Sequence, residues 1–119
     1  MPYVDGFVVP IPKENIEAYR AMSERCGAIW REHGALEFKE CIADDVKPGK
    51  VTSFPQSVIL EDNETVAFSW ITYNSREERD AINDKVMKDP RMADMMKPES
   101  MPFDGKRLIY GGFTMLVDM

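Results

Sequence analysis

Two stretches of the chain, residues 3–11 and 65–73, have the composition of strands that are apolar on both sides, and this restricts the fold more than any other feature. Tyr-Val-Asp-Gly-Phe-Val-Val-Pro-Ile is β-branched and aromatic and ends in the punctuation of Pro10 and Pro12. Its Tyr3, Phe7 and Val9 project to one side, and Val4 and Val8 to the other, because side chains alternate along a strand. In residues 65–73, Val66, Phe68 and Trp70 oppose Ala67, Ile71 and Tyr73. An antiparallel sheet covered on one face normally shows polar residues on the other. These strands therefore require a second cover, and a twin copy of the chain is the simplest one. Asp5 interrupts the pattern in the first strand, and Glu40 interrupts it in a neighbouring one.

Between the two strands the periodicity changes. Ile16, Tyr19, Met22, Cys26, Ile29, Trp30 and His33 recur at three- and four-residue steps, which predicts an amphipathic helix from about Lys13 to His33. Pro12 suits its first turn and Gly34 its left-handed end. Residues 35–43 alternate as a half-exposed strand, and residues 44–56, with Pro48-Gly49 and Pro55, read as a loop. A short strand is expected at 57–60. Ser75 and Glu78 match a capping box that opens a helix to about Lys88. Asp89-Pro90 breaks that helix and starts a short piece with Met92, Met95 and Met96 on one face. A last strand is expected over 107–118, interrupted at Gly111-Gly112 by a bulge or a close approach of another backbone.

The order β-α-β, loop, β-α-β matches the ferredoxin-like split βαβ arrangement, an α+β fold with both helices on one face of an antiparallel sheet. With 119 residues and no linker or repeat, the chain is expected to be a single domain, 1–119. Apolar residues at 44% and charged ones at 30% fit a globular protein. No apolar run approaches the roughly 18 residues of a membrane span, and the N-terminus lacks the pattern of a signal peptide, so a cytoplasmic protein without a membrane partner is expected. The 15 Lys and Arg against 21 Asp and Glu give a net charge of −6. The longest basic cluster is Lys106-Arg107, which speaks against a nucleic acid partner. Cys26 and Cys41 lack CxxC spacing and are expected as free thiols.

Motifs of known chemistry are few. A single histidine and no repeated carboxylate–histidine spacing leave no metal site to expect. Gly49-Lys50-Val51-Thr52 lacks the first glycine and the Ser/Thr of a phosphate loop, and Gly111-Gly112 lacks dinucleotide-binding spacing, so no cofactor is expected. Six residues remain as site candidates. Asp5, a carboxylate on an apolar strand face, is either held structurally, for instance by Arg107 across the sheet, or kept for proton transfer. His33 at the helix end is either a partly buried residue suited to the helix dipole or an acid/base. Trp30, Trp70 and Tyr110 either fill a core or wall a pocket. In the catalytic reading Asp5 or His33 takes a proton, and Arg107 holds an anionic group.

Several segments carry a family resemblance: Tyr3-Val4-Asp5-Gly6-Phe7-Val8, Asp44-Asp45-Val46, Gly49-Lys50-Val51-Thr52, Phe68-Ser69-Trp70-Ile71, Asp89-Pro90-Arg91-Met92 and the long run Met101 to Phe113. On these the chain resembles the YbaA-like family of small bacterial proteins of unknown function, over nearly its whole length. That family is similar to the dimeric α+β barrel superfamily, in which two ferredoxin-like subunits join their sheets. The resemblance thus implies a homodimer, and it transfers no catalytic residue. The superfamily includes cofactor-independent monooxygenases and plain ligand-binding proteins. Two functions follow as expectations: binding or oxidation of a small aromatic-type molecule in a monooxygenase-like pocket, or a non-catalytic dimeric binding or stress-related module.

Overall fold

The computed structural model describes residues 1–119. Strand β1 (Tyr3–Pro12) leads through a 3-10 turn, Lys13–Asn15, into helix α1 (Ile16–Glu32). Strand β2 (Glu37–Ile42), the one-turn helix α2 (Phe54–Ser57) and strand β3 (Glu64–Tyr73) follow. Helix α3 (Arg76–Lys88), the short helix α4 (Pro90–Met95), a 3-10 turn at Pro98–Ser100 and strand β4 (Ile109–Thr114) complete the chain. The four strands are antiparallel in the order β2-β3-β1-β4, the ferredoxin-like arrangement the periodicity predicts.

Helices α1 and α3 share one face of the sheet. Tyr3, Ile71 and Tyr73 of the strands meet Ile29, Ile82 and Val86 of the helices in one cluster. Val9, Ile11 and Ala67 meet Tyr19 in a second. Dimensions of 38 × 36 × 21 Å make the molecule a slab, one sheet and one helical layer thick.

Local chemistry explains where the elements stop. Gly34 takes φ +117°, a region that strains any residue with a Cβ, and there the chain turns from α1 towards β2. The Ser75 hydroxyl accepts the Glu78 amide at 3.1 Å, half of the expected capping box. The Glu78 carboxylate instead accepts from Asn74 Nδ2 at 3.0 Å. Asp89 accepts the Arg91 amide at 3.0 Å and so opens α4 directly after α3 closes. On α4 the expected methionine face is graded, with Met92 buried, Met95 half-buried and Met96 exposed.

Several boundaries differ from expectation. The first helix starts at Ile16 because a 3-10 turn occupies residues 13–15. The strand expected at 57–60 is absent: the Ser53 hydroxyl accepts the Gln56 amide at 3.1 Å, Pro55 sits in the first turn, and α2 forms instead. Strand β4 runs from Ile109 to Thr114 rather than over 107–118, and it ends where Thr114 pairs with Tyr3, at the start of its partner β1.

Helix α2 packs against β3 on the side away from α1 and α3, with Phe54 edge-on to Phe68 at 5.8 Å. At that end of the sheet Pro10 and Val66 are buried. Three cross-strand rows lie on the same side, away from α1 and α3: Glu37–Thr72–Val4–Phe113, Lys39–Trp70–Gly6–Gly111 and Cys41–Phe68–Val8–Ile109, with Thr72 alone among them buried.

Candidate functional site

The six residues singled out by sequence do not converge. Asp5 projects from β1 into the helical layer and is 5% exposed. Its Oδ2 accepts from the Tyr73 hydroxyl at 3.1 Å and its Oδ1 from Arg79 Nη1 at 3.0 Å. Burial raises its carboxyl above the ordinary value, against the opposing pull of the Arg79 guanidinium. Arg79 Nη2 also donates to the Tyr3 hydroxyl at 3.2 Å, and the guanidinium lies 4.9 Å from the centre of the Tyr3 ring. Trp30 joins the same network through Asn83, whose Oδ1 accepts from the indole at 3.0 Å and from the Tyr73 hydroxyl at 3.4 Å. Asp5 and Trp30 are therefore neighbours in one network, in which Arg79 Nε makes no hydrogen bond and has the Asp80 carboxylate beside it at 2.9 Å.

The other four stand apart. Arg107 does not reach Asp5; it forms a fork with Glu64 at 2.7 and 2.6 Å and bonds Asp104 at 3.0 Å. That pairing holds the Glu64 carboxyl below its ordinary value. It ties the segment before β4 to the start of β3, and Arg79 on α3 supplies the cation that Asp5 needs. His33 Nε2 lies 3.0 Å from Asp89 Oδ2, in a cluster completed by Arg91 and Glu32. Arg91, more than His33, holds the Asp89 carboxyl far below its usual range. Trp70 lies on the open side of the sheet, and Tyr110 on edge strand β4 is exposed and stacks on Phe7 at 6.0 Å.

A different group of residues meets in a cleft of about 480 Å³ between α1 and β2. Tyr19, Ser23 and Gly27 follow at four-residue steps and so form one line along α1. Gly27 lets the helix close on β2, since a Cβ there would stand 2.7 Å from the Phe38 ring. Glu40 of β2 turns its carboxyl into the cleft and accepts from the Tyr19 hydroxyl at 2.7 Å. Desolvation raises the Glu40 carboxyl, with hydrogen bonds from Tyr19 and Ser23 partly offsetting it. Desolvation also pushes the Tyr19 phenol up, reinforced by the neighbouring carboxylate. Ile16, Phe38 and Ile42 supply apolar wall, and Arg20, Glu24 and Arg31 line the cleft as well.

Such an arrangement can seat a small molecule against aromatic and aliphatic surface and accept one hydrogen bond or proton at Glu40. Its volume lies in the ordinary range of ligand pockets, roughly 300–1,000 Å³. The sequence carried two traces of it: Glu40 breaks the alternation of its strand, and Tyr19 brings a hydroxyl to an otherwise apolar helix stripe. Nothing in the spacing alone pairs residue 19 with residue 40. Both cysteines are free, and Cys26 is half-buried with its thiol raised by burial. No three His, Cys, Asp or Glu side chains cluster as metal ligands would, and no helix is long and apolar enough to cross a membrane.

The open side of the sheet has a different character. Along β3, β1 and β4 its three rows hold no charged residue, and a groove of about 600 Å³ runs among them. Phe68, Ile109 and Phe113 there are 43%, 44% and 61% exposed.

Comparison with known proteins fits this architecture. Among solved structures, an uncharacterized NIPSNAP domain protein from Burkholderia xenovorans superposes with a TM-score of 0.62 at 14% identity, covering 94% of this chain and 92% of its own. A dimeric ferredoxin-like protein from an uncultured marine organism gives a TM-score of 0.51 at 12% identity, covering 100% of this chain and 98% of its own. Likeness at these identities shows the α+β fold. The protein YbaA of Escherichia coli K12, described as uncharacterized, is 54% identical over 118 residues, 99% of each chain, and its Shigella flexneri counterpart matches equally. A family model described as a protein of unknown function, DUF1428, matches residues 2–105. This chain is a member of that DUF1428, YbaA-like family.

Proposed function

We propose that the protein is a homodimeric small-molecule-binding protein that seats an aromatic-type ligand in the cleft between α1 and β2. The observation that carries the reading is the convergence of Tyr19, Ser23 and Glu40 on apolar surface from Phe38, Ile16 and Ile42. A few placed polar groups in a largely apolar hollow are what orient a small ligand. The homodimer rests on the uncovered apolar rows of the sheet and is supported by the dimeric ferredoxin-like protein of the same fold. Between binding and monooxygenase-like oxidation, binding is favoured: Asp5, the expected proton acceptor of the sheet interior, is already engaged by Tyr73 and Arg79.

Thermal-shift measurement against aromatic and quinone-like compounds tests this, because a ligand of the native state raises its apparent stability. The expected result is a raised melting temperature with some of them. That response disappears in Ala28→Trp, which fills the cleft from an exposed helix position. It survives in Asp5→Asn and His33→Ala, since neither residue lines the cleft. The second reading is a dimeric module that binds no small molecule, and the engagement of both Asp5 and His33 with charged partners favours it. No response to any compound would decide for it.

A further inference from the structure

The glycines of this chain divide into those the protomer itself requires and those it does not. Gly27 and Gly112 are required, because a Cβ would stand 2.7 Å from the Phe38 ring and 2.4 Å from the Tyr3 hydroxyl. Gly34 is required by its positive φ. Gly6 is different. It lies in the interior of the central strand, its backbone is ordinary, and a Cβ there would meet nothing within 4 Å. Its register partner Gly111 would bring a Cβ no nearer than 3.6 Å to the Phe113 ring, an ordinary contact. A glycine within a strand weakens it and is commonly the mark of something approaching the backbone closely. Inside this protomer nothing approaches Gly6.

These two glycines sit together in the middle row of the open sheet side, and the next residue in that row is Trp70. Val4 and Phe113 bound the row on one side, and Val8 and Ile109 on the other. The surface is thus a two-residue floor without side chains, open over Gly6 and flanked by the Phe113 ring at Gly111, with the Trp70 ring next to Gly6 in the row. We infer that the open side is a self-complementary interface in which Trp70 of one copy fills the Gly6–Gly111 notch of the other. The inference rests on the homodimer proposed above and specifies how it is built.

A second copy is the occupant for three reasons. Knob and notch lie on the same surface, so one two-fold rotation fills both notches at once, the condition an isologous interface must meet. The rows carry no charge along β3, β1 and β4 that would call for an ionic partner. The exposed surface is also larger than that of a typical compact monomer of this mass. A monomeric protein of 13.6 kDa exposes about 6,600 Å², whereas this protomer exposes 7904 Å². The excess of roughly 1,300 Å², to which the exposed Val51 loop and the tail from Leu116 to Met119 also contribute, leaves room for the ~800 Å² that each partner buries in a standard interface.

Sedimentation equilibrium of the full chain and of Gly6→Val and Trp70→Ala tests the inference, with circular dichroism melting as the check on folding. Expected are a dimeric wild type and a Gly6→Val chain that melts cooperatively yet has a dimer dissociation constant raised at least about 30-fold, the scale of a central interface residue. Trp70→Ala moves the same constant in the same direction. A dimeric wild type with an equally dimeric Gly6→Val would overturn the interlock while leaving the homodimer standing. A wild type that is monomeric throughout would remove the homodimer and the interlock with it. Failure of Gly6→Val to fold would show that the glycine serves the protomer, which also overturns the inference. So would a dimeric Gly6→Val that has lost a response to a small molecule, since the notch would then belong to a ligand.

Discussion

The two sides of the sheet handle polarity in opposite ways. On the helical side the strands carry Asp5 and Ser69, both buried, and Glu40 at the cleft of edge strand β2, and both acids have named donors. On the other side β3, β1 and β4 present Phe68, Trp70, Val8, Ile109 and Phe113, and nothing in the protomer covers them beyond the end capped by α2. A sheet built for water would show the reverse. The helical side thus finds donors for both of its strand carboxylates within one chain. The open side is half of a contact.

Four experiments sharpen this contrast. The largest effect belongs to Arg79→Ala, which strands the Asp5 carboxylate inside the helical layer. With Asp5 and Arg79 side chains 7% and 19% exposed, the loss is about 3 kcal/mol or more in urea unfolding. A loss below about 1 kcal/mol would mean that the covered side does not depend on its ion pair.

Next come the acids with opposite pH behaviour. Burial raises Glu40 above its ordinary value of 4.5. The wild type is therefore favoured below that value, and the advantage fades as pH climbs through the raised one. Relative to the wild type, Glu40→Gln should gain melting temperature as pH rises across that window. Glu64 is lowered by Arg107, so its contribution is present above 4.5 and fades as pH falls through the lowered value. Glu64→Gln should therefore lose most at neutral pH and converge on the wild type in acid. Melting curves with the same slope for both variants would contradict the assignment.

The smallest effect is predicted on the open side. For chains diluted below dimer formation, Ile109→Ser changes unfolding stability by no more than about 0.5 kcal/mol, as substitutions on a wetted surface do. A large loss in the dissociated chain would mean that the open side is part of the protomer's own core.

Much of this contrast was legible in the sequence. The alternation of Tyr3 to Val9 against Val4 and Val8, and the helix stripe from Ile16 to Trp30, fix strand faces and helix placement, and family resemblance points to the same fold. The partners of the charged residues were not legible, because a salt bridge depends on which elements become neighbours. Asp5 meets Arg79 only because α3 crosses the β1–β3 pair, while Arg107 is nearer to Glu64. Tyr19 and Glu40 each disturb a pattern slightly, and only the packing of α1 on β2 turns them into a pair. The lone glycine at position 6 carried no message until the space around it could be inspected. Helix α2 was missed because residues 53–57 are too few for any periodicity, leaving Ser53 and Pro55 as the only cues.

Whether the open side is covered in solution separates half of an interface from a bare sheet face. Hydrogen exchange of the indole and backbone amides of β1 and β4 across a dilution series reads this directly. The prediction is slow exchange around Gly6, Trp70 and Gly111 at high protein concentration, accelerating as the chain is diluted, while the amides of α1 keep their protection. Exchange at those three positions that is fast and independent of concentration would contradict it.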